Sequence, residues 1–145
     1  MWKKENDWFW EGNVQEKIAS YFRNIGYQVI TTDTLAKQRG VDIIAKRDNQ
    51  EVLIEVKGYP SDKYADGEKQ GQAKKTQPTL QAKHWFSEVL VSAIRRKSKA
   101  PSSIVAIGLP DFKRYLSLIE ETKWAFEKLE IHILIVKEGG EVYKK

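Results

Sequence analysis

The sequence predicts a mixed β-sheet covered by helices on both faces, and three observations lead there. Short apolar runs alternate with amphipathic stretches of helical period, the pattern of layered α/β domains. Two of the runs, 41–45 and 52–56, are separated only by a polar link, 46–51, with the turn formers Asp48 and Asn49, which reads as an antiparallel hairpin. A later run, 131–136, is almost unbroken in its apolarity, as expected of a strand buried on both sides.

Each element has its own signal. Residues 1–12 set Trp2, Trp8, Phe9 and Trp10 among charges; such rings can stack on bases, or they can cap the core or form a dimer contact. A helix is predicted over 13–25, with Asn13 as N-cap, Glu16 as its capping-box partner and Gly26 as the stop. Val14, Ile18, Tyr21, Phe22 and Ile25 form its buried stripe, with Gln15 at the margin of that stripe and Glu16 on the far side. Residues 27–31 read as the first strand, and a polar connection, 32–39, leads to Gly40, where the chain can turn sharply before Asp42.

After the hairpin, residues 58–79 lose all apolar period. This polar loop holds Pro60, Gly67, Gly71 and Pro78. Its Lys63, Lys69, Lys74 and Lys75 suit a phosphate backbone, although Asp62, Asp66 and Glu68 dilute the charge. The longest helix is predicted over 79–97, with Leu80, Phe86, Val89, Leu90, Ala93 and Ile94 as its apolar face. Gln81, His84 and Glu88 form a second row, and Arg95, Arg96, Lys97 and Lys99 complement the dipole at its C-terminal end, with contact to a phosphate backbone an additional role open to them. A strand at 104–109 follows, and then a helix over 112–129, capped by Asp111, with Tyr115, Leu118, Ile119, Ala125, Phe126 and Leu129 turned to the sheet. Gly139 and Gly140 turn the chain after 131–136 into a short segment, 141–144, suited to a sheet edge.

Composition bounds the possibilities. A chain of 145 residues is one domain by length and needs no covalent staple. It has no cysteine, which excludes disulfides, thiolate nucleophiles and sulfur-ligated zinc. Its 25 Lys and Arg against 20 Asp and Glu give a net charge of +5, which suits a phosphate-rich partner. No stretch approaches the roughly 20 apolar residues of a membrane span, and the first residues lack a signal-peptide core, so a cytoplasmic location is expected.

The chemistry concentrates at residues 40–58. Alternation along a strand puts Leu53, Glu55 and Lys57 on one face and Val56 on the other. Asp42 opens the preceding strand, and hairpin pairing can bring its carboxylate beside that of Glu55. Two acids that close repel unless a cation or a proton lies between them, which is the logic of a hard-metal site.

An acid at the start of one strand, then an acid, an apolar residue and a lysine near the end of the next, resembles the PD-(D/E)xK superfamily of restriction-endonuclease-like nucleases. Asp42, Glu55 and Lys57 carry the resemblance, Val41 stands where the motif has proline, and the order of elements extends it over roughly residues 13–136. The resemblance implies a restriction-endonuclease-like fold, a central mixed sheet flanked by helices in αβββαβαβ order. It implies a nuclease hydrolysing DNA, ahead of RNA, with Asp42, Glu55 and the Val56 carbonyl holding Mg²⁺ or Mn²⁺. Lys57 would orient the attacking water or stabilise the transition state. Relatives also carry an acid on the first helix, where alignment by the terminal glycine puts Gln15, and a glutamine or basic residue on the later helix, where Gln81 and Lys83 are candidates. His84 is a further candidate as proton shuttle or ligand, against a structural or solvent-facing role.

The alternative keeps the fold without the chemistry. The chain is then a catalytically inactive DNA-binding or assembly subunit, with Lys57 neutralising Glu55 and Asp42. Restriction, junction-resolving and repair activities all remain open, and a homodimer is expected for the first two.

Overall fold

Aliphatic and β-branched runs separated by turn formers build the sheet. The computed structural model describes residues 2–31, 40–63, 68–74 and 77–145. A short 3-10 helix, Lys4–Asn6, precedes α1, Glu11–Asn24, and β1, Gln28–Ile30. The hairpin is β2, Ile43–Arg47, and β3, Gln50–Val56. Then come α2, Pro78–Lys99, β4, Ile104–Pro110, α3, Lys113–Leu129, β5, Ile131–Val136, and β6, Val142–Lys144. The six strands lie in the order β1-β2-β3-β4-β5-β6, parallel between β3 and β4 and between β4 and β5, antiparallel elsewhere. This open mixed sheet is consistent with a restriction-endonuclease-like fold. No described helix is long and apolar enough to cross a membrane.

Alternation along the strands splits the core into two layers. Val14, Ile18, Ala19 and Phe22 of α1 pack on Ile43, Ala45, Val52, Ile54, Val56, Ala106 and Leu134. On the other face, Phe86 and Val89 of α2 and Tyr115, Leu118 and Phe126 of α3 cover Val105, Ile107, Leu109, Ile133 and Ile135. Val41, Ile44 and Leu53 make a smaller apolar group in which Leu53 lies opposite the Val56 layer, as alternation requires.

Several expectations of detail are corrected. Asn13 lies inside α1, not at its cap; its amide donates to the carbonyls of Glu5 and Asp7 at 3.0 and 2.9 Å and ties down the N-terminal segment. The helix starts after Trp10, and Glu16 faces Arg23 at 3.7 Å on the exposed side. Asp111 is not the cap of α3; that position is Phe112, without a side-chain bond. Ile25, Leu80 and Leu129, expected in buried stripes, are exposed; each sits at a helix end, Ile25 just past α1, Leu80 in the first turn of α2 and Leu129 at the last position of α3. The hairpin turn is tighter than the 46–51 link suggested, with only Asp48 and Asn49 between the strands and Asp48 at φ 54°. The connection at 32–39 lies outside the described residues.

The loop after β3 is not structureless. Lys63 bridges Ala73 in antiparallel pairing, and the Lys74 N–H donates to Asp62 O at 2.8 Å. Its anchor is Gly58. A Cβ there would lie 2.6 Å from both Glu11 N and Phe9 O, so main chain occupies the space a side chain needs. Tyr59 then stacks on Phe112 at 3.8 Å and Phe112 on Trp8 at 5.4 Å, so the aromatic N-terminal segment caps this corner of the core.

Candidate active site

Glu55 is the half-buried residue between buried Ile54 and Val56 near the end of β3, and Lys57 follows where the strand leaves β4, its N–H donating to Gly108 O at 3.0 Å. Asp42 sits one residue before β2. Its Oδ2 accepts the Val56 N–H at 2.7 Å, which fixes the first acid against the strand that bears the second. The hairpin register, Ile43 opposite Ile54, makes this reach possible. Gly40, at φ +73°, supplies the turn into Asp42.

Electrostatics show how closely the groups crowd. Burial, with the charge of Asp42 next in size, pushes the Glu55 carboxyl up to about 7, against the lowering effect of Arg96 and Lys57. Burial likewise raises Asp42, opposed by the Val56 hydrogen bond and by Lys57. A third acid shares this field: Glu11, at the first position of α1, is raised by burial and by Asp42 and lowered by Lys57 and by the Gly58 N–H.

Glu11 was missed in the sequence. Alignment by Gly26 pointed to Gln15, but the acid that feels Asp42 stands one helical turn earlier. Gln15 supports it, its amide donating to Asp42 O at 3.3 Å, a positioning contact with the main chain. The signal available was the i, i+4 spacing of Glu11 and Gln15, which puts both on one side of the helix.

The cations are held by α2. Lys57 Nζ lies 3.4 Å from Glu88 Oε2 and 5.5 Å from the Trp85 ring centroid, so the lysine's ion pair goes to the helix and not to Asp42 or Glu55. Arg96 Nε lies 3.9 Å from Glu55 Oε1. Sequence reading assigned Arg96 to the helix dipole, with contact to a phosphate backbone as an additional possibility, because its distance from the hairpin in the chain hides the contact with Glu55.

The remaining candidates separate. Gln81 is partly buried and accepts a hydrogen bond from Lys74 Nζ at 3.2 Å, which turns it to the loop. Lys83 and His84 are exposed, and Lys63 lies over the Trp2 ring at 5.8 Å. Lys69 is exposed, and Lys75 lies outside the described residues.

An oxygen-only donor set of Asp42, Glu55 and Glu11 fits a hard divalent cation. Among the described residues no three acidic, histidine or cysteine side chains are already gathered as a metal cage. Asp42 leans to Val56, Glu55 to Arg96 and Glu11 to Gly58, so closure on a cation requires these side chains to turn.

Fold and site together define a mixed α/β protein with an acid cluster and a lysine where two central strands end. The family model described as Uncharacterised protein family UPF0102 matches residues 15–107, and the chain belongs to that family. It is similar to a UPF0102 protein of Sulfurihydrogenibium sp. (strain YO3AOP1), 32% identical over 74 residues, which are 51% of this chain. The chain spans 64% of that relative's length. The family match begins at Gln15 and therefore leaves Glu11 outside it.

Proposed function

We propose that the chain is a metal-dependent nuclease of the PD-(D/E)xK superfamily, hydrolysing phosphodiester bonds in DNA. The observation that carries this reading is the 2.7 Å bond from the Val56 N–H to Asp42 Oδ2, which fixes the first acid against the strand that bears Glu55 and leads into Lys57, with the Glu55 carboxyl raised to about 7 by burial and by Asp42. Crowded, half-desolvated carboxylates cost stability, and they recur at sites that work on charge.

Asp42 and Glu55 would hold Mg²⁺ or Mn²⁺, with the Val56 carbonyl on the same strand end and Glu11 in the place expected of Gln15. A bound cation supplies an activated water and offsets charge on the scissile phosphate. Lys57 exchanges Glu88, an exposed partner, for the phosphate or the attacking water, and its loss costs on the order of 10² to 10³ in rate. Gln15 keeps the Asp42 main chain in place, and Tyr115, donating to Gly58 O at 2.6 Å, does the same for the residue after Lys57.

A second reading is favoured by one observation: Lys57 and Glu88, and Arg96 and Glu55, already form pairs. A catalytically inactive DNA-binding or assembly subunit would keep such a network for structure alone. Incubating purified protein with linear, single-stranded and branched DNA in Mn²⁺ separates the two. The nuclease cleaves and Lys57→Ala does not; no cleavage of any substrate, or equal cleavage by the variant, rejects the catalytic assignment.

A further inference from the structure

Arg96 is placed unlike the other cations at the end of α2. Arg95 is exposed and Lys97 donates to the carbonyls of Pro101 and Ser103 at 3.3 and 3.0 Å, an ordinary use of basic residues at a helix terminus. Arg96 instead turns into the acid cluster, with its side chain only 17% exposed. Its Nε is buried and, among the described residues, has no hydrogen-bond acceptor. The nearest carboxylate, Glu55, lies at 3.9 Å, too far for the forked hydrogen bonds by which arginine usually holds an acid.

A buried donor on a cation that misses its hydrogen bond is costly, and the surroundings leave space for it. Gly40 leaves the room: a Cβ there would lie 3.1 Å from Arg96 Nη2. The cation is therefore brought close enough to offset the Glu55 charge without being locked onto it.

We infer that Arg96 stands in for the divalent cation: it neutralises Glu55 in the metal-free protein, and an entering ion competes with it for that carboxylate. This rests on the metal site of the proposed function. Arg96 is thus a positioning residue whose removal strengthens metal uptake, the opposite of what loss of a supporting residue would do. A loosely held counter-ion suits that exchange, because an arginine in full bidentate contact would hold the site shut.

The test measures Mn²⁺ affinity of the full chain by titration calorimetry at fixed pH for wild type, Arg96→Gln and Arg96→Lys. Arg96→Gln is expected to bind Mn²⁺ more tightly, on the order of tenfold, the size of a typical coupling between two sites. Arg96→Lys, which keeps the charge, returns the affinity toward wild type. In chelator, Arg96→Gln lowers the melting temperature, and by less in a Glu55→Gln background.

Equal or weaker binding by Arg96→Gln, or an identical thermal cost with and without Glu55, overturns the inference alone. A wild-type protein that takes up no Mn²⁺ overturns the metal reading, and the inference with it.

Discussion

The Val56 N–H donates to Asp42 Oδ2 at 2.7 Å, so the acid before one strand is bonded to the residue between the acid and the lysine of the next. The contact is both structural and electrostatic, and substitutions can separate the two. Asp42→Asn keeps an acceptor for Val56 and should change stability by less than about 1 kcal/mol, whereas Asp42→Ala leaves a partly buried N–H unpaired at a cost of about 1–3 kcal/mol. Urea denaturation in chelator checks the difference, and equal losses would show that the charge dominates.

Crowding of the acids sets a pH dependence. Glu55 has its carboxyl raised from 4.5 to about 7, so between these values the folded protein holds a proton that the unfolded chain has released. With more protons bound in the native state, stability falls as pH rises through that window, and Glu11 and Asp42 act in the same direction. Thermal melting of the metal-free protein should decline from pH 5 to pH 7, an interval chosen within that window, and Glu55→Gln should flatten the slope.

The corner below Lys57 is held by one buried hydroxyl. Tyr115 is fully buried and donates to Gly58 O at 2.6 Å. Tyr115→Phe removes the donor and keeps the ring, for an expected loss of about 1–2 kcal/mol in denaturant titrations. Gly58→Ala should cost more, because the colliding atoms are main chain, Glu11 N and Phe9 O.

Glu11 and Glu16 offer a direct comparison on one helix. Glu11 lies in the field of Asp42, whereas Glu16 pairs with Arg23 on the exposed side. Mn²⁺ should raise the melting temperature of wild type and of Glu16→Gln alike, with the gain sharply reduced in Glu11→Gln. A full gain in Glu11→Gln would remove this residue from the site.

What the sequence made legible follows from the range of the forces involved. The hairpin, the two-layer core and the α1 stop at Gly26 rest on period and turn chemistry, which act over a few residues. At Gly26, φ is +94° and the Tyr27 N–H closes onto Phe22 O at 2.9 Å, as a terminal glycine predicts. Arg96 beside Glu55 and Glu88 beside Lys57 depend on how α2 crosses the sheet, which no local pattern encodes. Glu11 was hidden differently: alignment from the end of the helix pointed to Gln15, whereas the acid that feels Asp42 stands one turn earlier. The same locality explains the caps, where Asn13 and Asp111 had the right chemistry but tertiary contacts drew the helix starts elsewhere.

Because the strands lie side by side in the order in which they are synthesised, the sheet grows outward from one edge with no later strand inserted between earlier ones. Glu11, Asp42, Glu55 and Lys57 therefore leave the ribosome as a set, well before Arg96 and Glu88 arrive to balance them. Of the two cations that lower the Glu55 carboxyl, Lys57 is thus on hand with the hairpin itself, whereas Arg96 comes only with the long helix.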